Sequence, residues 1–336
     1  MATTAVVVGA GAISNSWFPP LAQEKVEIAA VVDLRIDAAQ AQIAKYDLSA
    51  LASDDLAAVL ARVKPDLVLD LTVPEAHRQV TCAALEAGCH VISEKPMASS
   101  MAEARVMVSV SERTGKLYMV SQNRRWSPQH EAVRRAIAQC TIGNLTTVNC
   151  DFYLGAHFGG FRDQMPSPLI LDMAIHHFDL ARFMSGADPV AVYAREFNPK
   201  GSWYKGDVAA SCIFEMTDGV VFTYRGSWCA EGFHTSWNGD WRFIGDAGTL
   251  IYAQDQDPRA QIVAGDAGFN RPLRDESVPV PELEAVTMHG ALREMLRFLS
   301  TGERPQTECH DNIKSLAMCF SAIESSKRGC RIAVES

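Results

Sequence analysis

Val6-Val7-Val8-Gly9-Ala10-Gly11-Ala12-Ile13-Ser14 is a β-branched run that stops on Gly-x-Gly-x-x-Ser. Gly9 permits a tight turn. Gly11 lets backbone N–H groups approach a pyrophosphate with no side chain in the way, and Ser14, in place of a third glycine, is small enough for close helix–strand packing. The helix expected next turns its N-terminus toward the phosphates. Alone, the pattern also fits a plain tight turn. Its place after a strand, with an acidic residue closing the second strand, makes it a dinucleotide fingerprint.

That acidic residue is Asp33, at the end of the apolar run Val26–Val32. A carboxylate there accepts hydrogen bonds from ribose hydroxyls and repels a 2′-phosphate, which favours NAD. Arg35 keeps NADP open, since it could swing toward such a phosphate or stack on adenine.

Outward from the fingerprint, strand and helix signals alternate. Ala5–Val8, Val26–Val32, Leu67–Leu71, Cys89–Ser93 and Leu117–Ser121 are short apolar runs, with helical spacing at Asp37–Lys45, Glu75–Ala87 and Met101–Thr114. Continuous apolar strands with intervening helices predict a parallel sheet covered on both faces. Gly88 and Gly115 sit where helix C-caps are expected. Past residue 121 the texture changes. Ser127–Cys140 reads as a helix with Pro128 in its first turn, and Leu171–Met184 as a second helix. Period-two runs at 146–153, Val190–Phe197, Val208–Glu215, Val220–Trp228, Trp237–Ile244 and Thr249–Tyr252 predict an antiparallel sheet with unlike faces. Residues 286–300 and 311–327 read as helices. The fold class is thus α/β: a doubly wound parallel-sheet domain at 1–121, then an α/β domain at 122–336 with a large, mainly antiparallel open sheet for substrate and self-association.

Composition agrees with this reading. A chain of 336 residues, 48% hydrophobic, suits two packed domains. A net charge of −9 points away from nucleic acid and anionic membranes. The nine cysteines are scattered with no Cys-x-x-Cys pair, as in a reduced cytoplasmic protein without structural zinc. No signal peptide and no bilayer-length apolar stretch is legible.

Two further motifs carry chemistry. Ser93-Glu94-Lys95-Pro96 closes the fourth parallel strand, on the side where open parallel sheets bind ligands. Pro96 holds Lys95 extended, and an ammonium there can stabilise developing alkoxide charge. In isolation, a surface lysine before a turn would explain it equally. Leu171-Asp172-Met173-Ala174-Ile175-His176-His177-Phe178-Asp179 places Asp172 and His176 four apart, on one helix face, with Asp179 nearly aligned. A carboxylate beside a histidine raises its basicity and fixes its ring. The bland alternative is a helix-surface ion pair or a core histidine satisfied by Asp172.

With these pieces in order, the chain resembles the glucose-fructose oxidoreductase, inositol dehydrogenase and rhizopine-catabolism (Gfo/Idh/MocA) family. The resemblance rests on GAGAIS at 9–14, Asp33, TVPEAH at 72–77, AGCHVISEKP at 87–96, NRRWSP at 123–128 and DMAIHHFD at 172–179. It implies an N-terminal Rossmann domain, a C-terminal domain whose open sheet forms a homodimer or homotetramer interface, and an NAD(P)-dependent dehydrogenase acting on a sugar or polyol. Lys95 would be the catalytic lysine, His176 the general acid/base and Asp172 its partner. Gly9, Gly11, Ala12, Ile13, Asp33, Leu34, Arg35, Thr72, Val73, Pro74, His77, Glu94, Lys95 and Asn123 would line the cofactor. The bond before Pro96 would be cis. The chain departs from the pattern at Ser14 and at the doubled histidine. His177 is turned about 100° from His176, so it is assigned to a substrate hydroxyl or a neighbouring element.

In this mechanism His176 takes a hydroxyl proton as hydride leaves, and Lys95 steadies the oxygen. Lys95 and His176 are therefore expected to converge on the reacting carbon. Substrate candidates are Arg125, Trp126, Tyr153, His157, His177 and Trp237, with Phe158 and Asn238 beside them, because aromatic rings stack on sugar faces. Trp203, Trp228 and Trp241 are read as packing, and Gly155–Gly160 as a flexible loop. Two rivals remain at this point. One is a redox-cycle glycosidase with tightly bound NAD. The other is a non-catalytic dinucleotide sensor, against which the joint presence of Lys95, Asp172 and His176 argues.

Overall fold

The computed structural model describes residues 3–336, which form two compact units. The first comprises residues up to Trp126 together with Glu284–Ile313; the second comprises Ser127–Leu283 and Lys314–Ser336. The expectation of one crossing near residue 121 is corrected, because the chain returns to the first unit.

In the first unit, strands β1 (Thr4–Val8), β2 (Glu27–Val32), β3 (Leu51–Ser53), β4 (Leu67–Asp70), β5 (His90–Ser93) and β6 (Tyr118–Val120) form a six-stranded parallel sheet. Its order is β3-β2-β1-β4-β5-β6, the doubly wound arrangement whose direction reverses between β1 and β4. Val6, Val7, Val68, Leu69, Val91 and Ile92 are buried, as strands covered on both faces require. Helices α1 (Phe18–Gln23), α2 (Ile36–Lys45), α3 (Leu56–Val63), α4 (Pro74–Glu86) and α5 (Met101–Thr114) fill the crossovers. Local chemistry sets their ends. Asp55 accepts from Ala58 N at 2.9 Å to cap α3, and Ser100 accepts from Glu103 N at 3.2 Å to cap α5. Gly115 closes α5 with φ 66°, and Gly88 follows α4 with φ 87°.

The returning segment supplies α8 (Thr287–Thr301), whose Ala291, Leu292 and Met295 join Trp17, Phe18 and Leu21 in the core of this unit. Trp126 lies against α8: a Cβ at Gly290 would collide with its ring, and its indole N–H donates to Glu294 at 3.1 Å.

In the second unit, β7 (Leu145–Tyr153), β8 (Pro189–Phe197), β9 (Ala209–Met216), β10 (Val221–Ser227), β11 (Asp240–Gly245), β12 (Gly248–Tyr252), β13 (Arg259–Val263), β14 (Leu273–Glu276) and β15 (Ile332–Ala333) form a nine-stranded sheet. All its pairings are antiparallel except β7–β10, and the order is β14-β13-β12-β11-β7-β10-β9-β8-β15. The period of two separates its faces. Val148, Cys150, Phe152, Phe214, Phe222, Tyr224, Trp241 and Phe243 are buried, whereas Val190, Tyr193, Phe197, Ile213 and Val221 are exposed. Helices α6 (Pro128–Ala138) and α7 (Ile175–Ser185) pack together, with Pro128 in the first turn of α6 as its rigid φ favours. The Phe178 ring of α7 meets Phe214 at 4.9 Å and Tyr224 at 5.3 Å, which seats α7 on the buried face. Helix α9 (Cys309–Arg328) completes the regular structure. Among the described residues, no helix is long and apolar enough to cross a membrane.

Candidate active site

In the first unit the fingerprint lies at the reversal point of the sheet. Gly9 has φ 98°, and a Cβ there would sit 2.6 Å from the Leu71 carbonyl oxygen, so only glycine passes between β1 and β4. Gly11 differs: nothing lies within 4 Å of the Cβ it lacks. That open space is a cradle suited to a phosphate group. Ser14 is buried, and its hydroxyl donates to Gly11 O at 2.7 Å, which ties the turn to itself. The expected single helix is split. Residues Ala12–Ser16 wind as a 3-10 turn and α1 starts at Phe18. Pro19 and Pro20 have no N–H to give to an earlier carbonyl, which prevents a continuous α-helix across residues 12–23.

Asp33 braces this loop. Its Oδ2 accepts from Ala10 N at 2.8 Å and its Oδ1 from Arg35 N at 2.9 Å, while Leu34 and Arg35 are exposed beyond it. Thr72, Val73 and Pro74 follow β4 at the start of α4. Under them lies a pair of buried acids whose structural partners were not legible in the sequence. Asp70 accepts from the Thr72 hydroxyl at 2.6 Å and the Thr81 hydroxyl at 2.9 Å. Glu94 accepts from Trp17 Nε1 at 2.8 Å. Burial pushes both carboxyl pKa values up. Lys95, half-buried, follows directly, with its backbone N–H 3.3 Å from Glu94 Oε2. The Lys95–Pro96 peptide is cis. His77 is fully buried, with Nδ1 2.9 Å from Pro96 O and Nε2 3.2 Å from Thr72 O. It clips the two strand ends together through these two carbonyls. Asn123 is half-buried, and its amide nitrogen lies 3.2 Å from Met288 Sδ.

Two substrate candidates are buried in this unit. Arg125 is buried and donates to Asp311 at 2.7 Å and to Gln306 O at 2.9 Å. Trp126 belongs to the core against α8. Both hold the returning segment. A further group of metal-type donors, Glu308, Cys309 and His310, is also here. Cys309 is buried with its thiol pushed up to about 12, chiefly by burial, and His310 bonds Glu308 at 2.7 Å and Glu112 at 3.0 Å.

In the second unit, Asp172 and His176 stand at a change of winding. Leu169–Ala174 is π-helical and α7 begins at Ile175, so the single helix expected over 171–184 is two pieces. His176 is buried on the first turn of α7. Asp172 is 2.6 Å from Arg162 Nε, an ion pair invisible in the sequence spacing. Asp179 accepts from Ser315 at 2.7 Å and anchors α7 to α9. His177 is fully buried, 4.7 Å from the Phe152 ring, with Nε2 3.4 Å from Trp237 O. These contacts are in line with the neighbouring-element role read for it.

Around this turn lies an aromatic group. Trp237 is 45% exposed, 6.1 Å from Phe158 and 6.3 Å from Phe152. Phe158 in turn meets buried Trp228 at 5.1 Å. Tyr153 is half-buried, and burial raises its phenol pKa. His157 stacks on Trp203 at 3.7 Å and bonds Glu231 at 2.9 Å. Trp241 is core, as read, with its indole N–H on Asn238 O at 2.7 Å.

Comparison with known proteins agrees with both units. The family profile described as "Oxidoreductase family, NAD-binding Rossmann fold" matches residues 3–122, and the "GFO/IDH/MocA C-terminal domain" matches residues 130–251. A 1,5-anhydro-D-fructose reductase of Ensifer adhaerens is 36% identical, over 81% of this chain and 80% of its own. A D-apiose dehydrogenase of Paraburkholderia graminis is 28% identical, over 84% of this chain and 76% of its own. In fold, an oxidoreductase from Agrobacterium radiobacter, solved with NAD+, L-tartaric acid and magnesium, superposes with a TM-score of 0.88 at 21% identity, over 99% of each chain.

Proposed function

Since the chain belongs to the Gfo/Idh/MocA oxidoreductase family, with its NAD-binding Rossmann domain, we propose that it is an NAD-dependent dehydrogenase oxidising a secondary alcohol of a sugar or polyol. The observation that carries the reading is His176, a buried imidazole one turn beyond the Asp172 carboxylate, in a unit that also exposes Trp237 and Phe158, rings suited to a sugar face. Relatives named as sugar dehydrogenases and reductases support the substrate class.

When bound, NAD supplies the acceptor for the hydride that leaves the carbinol carbon. The chain's residues do the rest. Gly9, Gly11, Ala12 and Ile13 offer the turn to the pyrophosphate. Asp33 puts negative charge at the end of β2, which disfavours a 2′-phosphate and selects NAD over NADP. Lys95 stabilises the substrate oxygen as charge develops, held at its strand end by Glu94 and the His77 clip. His176 accepts the hydroxyl proton, and Asp172 orients the imidazole or an adjacent hydroxyl. Trp237 and Tyr153 contact the sugar. The exposed apolar face at Tyr193, Ile213 and Val221 is assigned to self-association, with mass by light scattering as its check.

The test is a panel of polyols and aldoses with NAD and NADP, followed by nicotinamide absorbance. Stoichiometric NADH with at least one of them supports the reading. No turnover across the panel contradicts it, and cofactor that copurifies unconsumed while a glycoside is cleaved favours the redox-cycle alternative.

A further inference from the structure

Arg162 reaches its carboxylate through one nitrogen, as Arg135 does on Glu131 at 2.7 Å. Arg134, Arg225 and Arg331 instead bring Nε and Nη2 to the two oxygens of one carboxylate, with Nη2 at 2.7 Å from Glu131, 2.6 Å from Asp151 and 2.7 Å from Glu215. The two-point fork is the stronger and geometrically more specific way for guanidinium and carboxylate to pair. Arg162 meets Asp172 side-on, through Nε alone at 2.6 Å, and among the described residues its Nη edge has no carboxylate partner. The side chain is 33% exposed. Its guanidinium is nonetheless held in place, 5.0 Å from the Phe158 ring centroid and 4.7 Å from that of Phe161.

From this geometry we infer that Arg162 is a specificity-determining residue and that the substrate is a sugar acid, an aldonate or uronate, whose carboxylate docks on the Nη edge. The inference rests on the reading of Asp172 and His176 as substrate-side residues. The Nη edge offers two parallel N–H donors at carboxylate spacing, which a neutral hydroxyl cannot engage equally. The side-on bond to Asp172 fixes the plane of the fork and leaves that edge open. A neutral sugar would meet the same edge with uncharged hydroxyl acceptors, without the charge-assisted strength of a carboxylate.

The experiment compares wild type, R162Q and R162K on D-gluconate and D-glucuronate against D-glucitol and D-glucose, with NAD saturating. Melting temperature and NAD affinity of each variant show that the fold and the cofactor site are intact. Expected is a wild-type preference for the acids, and in R162Q a fall of the acid-to-neutral ratio in kcat/KM of about 10- to 100-fold, the worth of a charge-assisted contact, carried mainly by KM. R162K, which keeps the charge without the fork, should retain part of the ratio. Equal losses on acids and neutral sugars, or a wild type that prefers the neutral member, would overturn it. Gluconate titrated calorimetrically into the NADH-saturated protein separates the two readings. Binding that needs Arg162, without turnover, keeps the acid site and removes the dehydrogenase; turnover of neutral sugars with no gluconate binding does the reverse.

Discussion

Trp17 Nε1 donates to Glu94 Oε1 at 2.8 Å, a buried bond that joins the fingerprint turn to the strand end carrying Lys95. Burial raises the Glu94 carboxyl pKa, and the Trp17 donor opposes that rise, followed by the Lys95 charge. Trp17→Phe removes the bond and leaves the ring's bulk. The expected loss is about 1–3 kcal/mol of stability, read from urea denaturation. A variant as stable as wild type would show that the bond contributes nothing.

Gly9 and Gly11 should respond differently to alanine. Gly9→Ala meets the Leu71 carbonyl at 2.6 Å from a backbone with φ 98°, and should fold poorly or melt well below wild type. Gly11→Ala meets nothing within 4 Å and has φ −73°, so its melting temperature should stay near wild type while NAD affinity falls by about tenfold or more. Calorimetric melting and NAD titration distinguish them. Unchanged affinity in Gly11→Ala would remove the cradle from the account.

Glu196 makes stability depend on pH. It is buried on β8 beside Ser167, and burial pushes its pKa up to about 7 from 4.5, with Asp207 adding to the rise and Ser167 and Lys327 opposing it. Between those values the folded chain keeps a proton that the unfolded chain has released. Its contribution is therefore fully present below pH 4.5, declines as pH rises toward 7, and stays lost above. Glu196→Gln should be more stable than wild type at pH 8, on the order of 1–3 kcal/mol, and the difference should vanish near pH 5. A gap independent of pH would show that Glu196 is already neutral or already solvated.

What the sequence made legible follows from where free energy is local. The strands of the parallel sheet are apolar on both faces, so Val6–Val8 and Leu67–Leu69 announce themselves without partners. Gly9 is legible because one backbone position admits no Cβ. Features set by distant residues were not. Trp126 resembles a sugar-stacking ring until Gly290 and Glu294 come to lie against it from far along the chain. Arg162 and Asp172 are ten residues apart across a loop, a spacing that signals no contact. The π-turn at 169–174 keeps a helix-like pattern, and Leu273–Glu276 at the sheet edge is too exposed to show a strand period. The acids Asp70 and Glu94 were seen as residues, but not as the braces that Thr81 and Trp17 make of them.

The account stands or falls on Lys95 and His176 as the groups that handle the reacting hydroxyl. Single-turnover oxidation with saturating NAD, in Lys95→Ala and His176→Ala, measures this directly when NAD affinity is determined in parallel. The rate should fall by about 10²–10⁴-fold in each variant, with cofactor affinity within a few-fold of wild type. Wild-type single-turnover rates in either variant would contradict the account.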